Sequence, residues 1–181
     1  MQGVILYGPP AVGKDTITRE LNHVRSDYVL FPRIKVGSGR QIGYRIVTLD
    51  TLESLRLSGD VIWENARYKA TYIIDRPELT RRLHTEIPVV HLGQPEGVTA
   101  VVNAVPEARW TVVELHCPRS IGIDRIRARA TGDTEERIAV WDRTPRLSDP
   151  HLSIDTSEMS PALVARSIHE LRASRNQASH L

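Results

Sequence analysis

Apolar residues fall along the chain in short runs, and most runs are followed by a stretch with helical spacing. Val4-Ile5-Leu6-Tyr7 is the first run and predicts a buried strand. After it, Ile17 and Leu21 share one helical face while Arg19, Glu20 and Asn22 point elsewhere. Tyr28–Phe31 predicts a short second strand, and a Gly-rich stretch from Gly37 to Gly43 interrupts regular structure. Tyr44–Leu49 alternates as a strand should. Asp50 and Glu53 then resemble a capping box, starting a helix that stops near Gly59. Val61–Glu64 and Thr71–Ile74 predict further extended segments, with Trp63 read as core. Pro77–Leu83, Val98–Val105, Ser120–Ala130, Glu135–Arg143 and Pro161–Arg172 have helical character. Val89–Leu92, Trp110–Leu115 and Leu152–Asp155 read as the remaining strands. Strands alternating with helices predict an α/β fold with a central, mainly parallel sheet.

Between the first strand and the first helix lies Gly8-Pro9-Pro10-Ala11-Val12-Gly13-Lys14-Asp15-Thr16. The spacing Gly-x4-Gly-Lys between strand and helix is that of a phosphate-binding P-loop. Glycines let successive backbone N–H groups turn inward around phosphate oxygens, and the helix adds its positive N-terminal dipole there. Lys14 is placed to reach β- and γ-phosphates as a mobile point charge. The nine residues are therefore the expected ATP-binding loop. Asp15 occupies the slot that usually carries a magnesium-binding hydroxyl, and the hydroxyl comes one residue later at Thr16. Asp15 and Thr16 are the candidate Mg²⁺ ligands; Asp15 reads equally well as a carboxylate favoured by the helix dipole.

With 181 residues, the chain suits one domain with a proper core. A net charge of +2, without a dense basic tract, argues against nucleic acid as partner. No apolar run approaches the ~20 residues of a membrane span. Cys117 is the only cysteine, so no internal disulfide is possible. The first strand begins almost at once and leaves no room for a leader, so a cytoplasmic protein is expected. Nothing in the sequence fixes the oligomeric state.

The order of motifs resembles a nucleoside monophosphate kinase, and more narrowly the guanylate kinase-like group, over most of the chain. The residues that carry the resemblance are the P-loop, Arg33 before the Gly-containing turn, Gly43-Tyr44, and Ser58-Gly59-Asp60-Val61-Ile62-Trp63-Glu64. Tyr68 and Tyr72 follow, then Arg125, Arg127 and Arg129 with Gly132-Asp133-Thr134-Glu135-Glu136-Arg137. The Gly-Lys-Asp variant of the loop is also similar to ribose 1,5-bisphosphate phosphokinases, which share the fold and act on a sugar phosphate.

The resemblance implies a three-layer P-loop NTPase fold in one domain. Its core is expected at 1–30, 76–124 and 146–175, with an acceptor-binding insertion at 31–75 and an arginine-rich lid at 125–145. It implies an ATP- and Mg²⁺-dependent phosphotransferase whose partner is a small-molecule phosphate acceptor. Lys14, Arg125, Arg129, Arg137 and Arg143 are the candidate catalytic cations, with Arg125 and Arg129 on one helical face. Arg33, Lys35 and Arg40 flank the Gly-rich turn as a candidate phosphate clamp, and Tyr44, Glu64, Arg67, Tyr68 and Tyr72 are candidates to line the acceptor pocket.

His91, at the end of a central strand, can position a substrate hydroxyl, act as a base, or sit satisfied in the core. Gln94 and Glu96 beyond it are weaker candidates of the same kind, and Asp155-Thr156 ends the last strand near the expected adenine seat. Asp75 resembles the acidic end of a Walker B strand, but reads better as an ion-pair partner of Arg76 or a neighbouring arginine. Two departures count against a housekeeping guanylate kinase. The strand Val89–Leu92 carries no Asp-x-Asp, and Pro32-Arg33-Ile34-Lys35-Val36-Gly37 replaces the usual phosphate-clamp sequence. The competing reading is a non-catalytic guanylate kinase-like binding module, which typically lacks the P-loop lysine and lid arginines retained here.

Overall fold

Successive residues of the first strand face opposite ways and feed two separate apolar clusters. Val4 and Leu6 pack on one side of the sheet, Ile5 and Tyr7 on the other. The computed structural model describes residues 1–37 and 41–177, with side chains through 175. In chain order the elements begin β1 (Gln2–Tyr7), α1 (Lys14–Val24), β2 (Tyr28–Leu30), β3 (Ile34–Gly37), β4 (Arg45–Ile46) and α2 (Leu49–Leu57). They continue with β5 (Val61–Arg67), β6 (Ala70–Asp75), α3 (Arg76–Thr85), β7 (Ile87–Leu92), α4 (Pro95–Ala104) and β8 (Arg109–His116). The chain closes with α5 (Arg119–Ala128), α6 (Thr134–Arg143), β9 (Leu152–Asp155) and α7 (Pro161–Gln177).

The main sheet has the order β2-β7-β1-β8-β9, and every pairing in it is parallel. Ile17 and Leu21 of α1 join Ile123, Ile126, Val164 and Ile168 on one face, while Leu79, Leu83, Val98 and Val101 cover the other. This is a three-layer α/β architecture, as the alternation of runs predicts. β1 lies at the centre with β7 and β8 on either side, so the loop after β1 opens into a crevice at the strands' carboxyl ends.

A second sheet, β4-β3-β6-β5, is built entirely from residues between 34 and 75 and is antiparallel except for β3–β4. α2 closes over it through Leu52, which packs with Ile34 and Ile73. Several local expectations change here. The strand expected at 44–49 shrinks to Arg45–Ile46, because Thr48 caps α2: its Oγ1 accepts from the Thr51 N–H at 3.2 Å. β3 is a strand the polar–apolar pattern does not announce, since the cation between its apolar residues, Lys35, is itself buried. β5 runs on to Arg67 and returns through a two-residue turn at Tyr68 and Lys69, with φ of 53° and 56°. Positive φ at both positions marks a type I′ hairpin, built here without glycine.

Candidate active site

The P-loop conformation follows from residues that accept unusual backbone angles. Gly8 and Gly13 have φ of 149° and 111°, and a Cβ on Gly8 would stand 2.3 Å from the Leu115 carbonyl oxygen. The Gly8 N–H donates to the Leu92 carbonyl at 3.1 Å, tying the loop to the end of β7. Lys14 starts α1, and its Nζ spans the loop by donating to the carbonyls of Gly8 (2.6 Å) and Pro9 (2.9 Å). Burial lowers the Lys14 ammonium to about 7; Asp15 opposes the shift, while Arg33, Arg129 and Arg67 add to it. An incoming anion reverses that balance.

A cavity of about 190 Å³ opens between this loop and the second sheet. The loop and the end of β7 form its floor, Asn65, Arg67, Tyr68 and Tyr72 one wall, Arg33 and Tyr44 another, and Arg129, Arg137 and Thr144 its rim. Its charged lining is Lys14, Arg33, Arg67, Arg129 and Arg137 against one carboxylate, Asp15. Arg33 lies over the rings of Tyr44 (5.8 Å) and Tyr72 (5.2 Å), which themselves meet at 5.4 Å. Burial raises the Tyr68 and Tyr72 phenols above their usual range, so both keep their hydroxyl protons at neutral pH. With its oxygen toward β5, the Gln94 amide accepts from Arg67 (2.9 and 2.7 Å) and Asn65 (3.1 Å). These contacts hold Arg67 over the cavity with a neutral partner, leaving its charge uncompensated.

His91 lies at the cavity floor, and burial lowers its imidazole to about 3 despite the Asp15 charge. Burial therefore favours the neutral imidazole. Its Nε2 is 2.7 Å from Thr18 Oγ1, and that hydroxyl is within 2.9 Å of the Lys14 carbonyl. Nδ1 faces Asp15 Oδ1 at 3.5 Å.

Other expected site residues are placed elsewhere. Glu64 does not line the cavity; Arg56 of α2 holds its carboxylate at 3.1 and 2.5 Å. Alternation along β5 separates them: Asn65 and Arg67 share the face toward the site, and Glu64 lies on the other. Lys35 lies behind the cavity, buried beneath Tyr44 and Tyr72, with burial lowering its ammonium. Arg143 is exposed and donates to its own helix at Ala139, away from the cavity. Arg40 falls outside the described residues. Asp75 is not a Walker B acid: it pairs with Arg45 in the second sheet and caps α3 through the Glu78 N–H at 3.3 Å. Asn65 and Thr144 are lining residues that sequence reasoning misses, and Gln94 does more than its weak signal suggests.

Arg125 points to a second cavity, of about 360 Å³, which opens on the far side of the loop. There it donates to the Thr156 carbonyl and hydroxyl, both at 3.0 Å, and so braces the end of β9. Thr16 and Arg125 line this second cavity, while Arg129 lines both. Asp15 and Thr16 thus serve different cavities, and among the described residues no group of three or more His, Cys, Asp or Glu could hold a metal. Asp15 and Thr16 stand side by side in the first turn of α1, and a Mg²⁺ that keeps waters and phosphate oxygens would need only one of them. Arg137 is held by Asp133 at 2.6 Å and lies 4.6 Å over the Tyr68 ring, and Glu136 accepts from the Tyr68 N–H at 2.8 Å. These contacts join α6 to the β5–β6 turn across the cavity rim.

No protein-family model matches the chain, and neither does any curated protein sequence. Solved structures do match. Guanylate kinase from Anaplasma phagocytophilum is similar with a TM-score of 0.58 and 14% identity, over 96% of this chain and 85% of that one. A gluconokinase from Sinorhizobium meliloti 1021 is similar with a TM-score of 0.53 and 15% identity, over 99% and 95%. Architecture and loop geometry agree with these matches: the chain has a P-loop kinase-like fold.

Proposed function

We propose that the chain is a small-molecule kinase that moves the γ-phosphoryl group of ATP to an acceptor that already carries phosphate, a nucleoside monophosphate or a sugar phosphate. The observation that carries this reading is the cavity beyond the P-loop, where Lys14, Arg33, Arg67 and Arg129 face one carboxylate, Asp15, and the fifth cation of the rim, Arg137, is paired with Asp133. Such a surplus suits an anionic acceptor beside an anionic donor. ATP lays its triphosphate along the P-loop, with Lys14 at the β- and γ-oxygens and the nucleoside toward the cavity braced by Arg125 and Thr156. Arg129 borders both cavities and is the arginine suited to stabilise charge on the group in flight. Arg33 and Arg67, which line the cavity and form no salt bridge among the described residues, would hold the acceptor's phosphate. Magnesium arriving with the nucleotide would supply charge neutralisation, and Asp15 and Thr16 are the residues that would hold it, directly or through water. The binding-module reading is disfavoured because Lys14, Arg129 and Arg137 converge on one cavity.

The test is ADP formation from ATP across a panel of nucleoside monophosphates and sugar phosphates, with Lys14→Ala as control. The reading expects one acceptor class to stimulate turnover and the variant to abolish it. ATP binding without stimulation by any phosphorylated acceptor contradicts it.

A further inference from the structure

We propose that a cavity at the amino ends of the strands binds a small metabolite through its phosphate or carboxylate group, received by Arg172 and His169. Gln2 and Ile87, which begin the adjacent parallel strands β1 and β7, line this cavity. It therefore lies on the edge of the sheet opposite the P-loop. Its volume is about 520 Å³, against about 190 and 360 Å³ for the two cavities beside the loop.

The charge on Arg172 is the reason to expect an anion there. The residue comes from α7, lines the cavity and is only 5% exposed. Its Nε donates to the Tyr28 hydroxyl at 2.6 Å, Nη1 donates to the Gln2 side-chain carbonyl, and the guanidinium lies 5.3 Å over the Tyr28 ring. Among the described residues no carboxylate pairs with it. Two acids line the cavity, but each already holds another cation: Asp27 accepts from Arg25 at 2.9 Å, and Glu86 accepts from Arg82 at 2.7 Å. Neutral acceptors satisfy the protons of a buried guanidinium without offsetting its charge, and arginine is almost never so deeply buried unpaired. Holding Tyr28 and Gln2 in place requires donors, not a charge. Nη2 and the second proton of Nη1 make no hydrogen bond among the described residues. That edge of the fork matches two oxygens of a carboxylate or phosphate.

His169 supplies a second donor. It precedes Arg172 by three positions on α7 and so shares its face. Tyr28 Oη accepts from Arg172, so its own proton goes to His169 Nδ1, 3.1 Å away, and the neutral imidazole keeps its proton on Nε2. Burial lowers the His169 imidazole, Arg172 and Arg25 lower it further, and Asp27 and Glu170 oppose them with smaller effect. Cations thus outweigh carboxylates at this point, as an anion requires.

The experiment follows the histidine Cε1 protons by NMR while inorganic phosphate or succinate is added to the full chain at constant ionic strength. The His169 signal is assigned from its loss in His169→Gln. The expected result is a saturable shift of that signal with at least one anion, retained in Lys14→Ala, where the P-loop has lost its lysine. The anion that saturates it identifies the group the cavity takes. Arg172→Gln raises Kd by about tenfold or more. Ala173→Glu, on the cavity wall beside Arg172, supplies a carboxylate from the chain itself and abolishes the saturable shift, which keeps the test decisive if Arg172→Gln does not fold. A His169 signal that neither anion moves, or that moves only linearly, overturns the proposal. So does a shift lost in Lys14→Ala, which reports the P-loop instead, or a Kd unchanged in Ala173→Glu.

Discussion

The five-stranded parallel sheet is buried between two large apolar clusters, whereas the four-stranded sheet that carries Asn65, Arg67 and Tyr72 fully buries only Ile34, Leu52 and Ile73 in its own cluster. The sides proposed for donor and acceptor therefore rest on clusters of different size. The P-loop is held by a central strand with parallel neighbours on both sides and by two glycines in conformations few residues adopt. The wall proposed for the acceptor is a small sheet that meets the main core through Ile74, Ile62 and Trp63 and is joined to α6 by Arg137, Tyr68 and Glu136. Elements with few buried apolar contacts open at low free-energy cost, and that suits a wall that must admit and release an acceptor. The comparison teaches that the P-loop is fixed where the core is deepest, and that in the proposed kinase acceptor choice falls to the sheet with the smaller cluster.

The sharpest way to break this division is to disable the donor side alone. Lys14→Ala is expected to lower turnover by about 10³-fold or more, with an unchanged Tm; a steady-state assay beside a melting curve checks both. The next largest effect separates two arginines that look alike in sequence. Arg129→Ala, at the border of both cavities, should lower kcat by roughly 10²-fold with little change in KM for ATP. Arg143→Ala, whose side chain turns back to Ala139, should stay within about twofold of wild type. On the acceptor side, Leu52→Ala is expected to cost about 2–3 kcal/mol, read by hydrogen exchange as faster opening across residues 34–75 and not in β1 or β7. Uniformly faster exchange would mean that the two sheets open as one unit.

Protonation offers a finer probe of the donor side. Lys14 is lowered to about 7, so above that pH most of the protein carries a neutral amine there. A bound triphosphate raises the pKa again, so nucleotide binding at pH 8 takes up protons, and the uptake fades as pH falls below 7. Titration calorimetry in buffers of different ionisation enthalpy measures it. His91, already neutral, adds no transition near its ordinary 6.5. The smallest effect is at the hairpin: Lys69→Gly, at φ 56°, should raise stability by up to about 1 kcal/mol without touching the donor side.

Legibility followed the same division. The P-loop is a local signal, since strand, glycines, lysine and helix are contiguous, and its geometry could be read from the sequence directly. The acceptor wall depends on phase and register. Glu64 and Asn65 are neighbours on one strand and face opposite ways, and which face meets the cavity is set by how β5 pairs with β6, so Asn65 and Arg67 line the cavity while Glu64 pairs with Arg56. The Tyr68–Lys69 turn lacks the glycine or asparagine that normally betrays a type I′ hairpin. Among the arginines, helical phase alone could not show that Arg125 would brace Thr156 or that Arg137 would stack on Tyr68. Those contacts join residues far apart in sequence, which periodicity cannot see.

The measurement that tests the central claim most directly follows the phosphoryl group itself. ATP labelled at the γ-phosphate is incubated with the protein and phosphorylated acceptors, and the small molecules are separated. The account predicts label in a more highly phosphorylated acceptor, and none with Lys14→Ala. Label that stays in ATP, or appears only as inorganic phosphate, would contradict it.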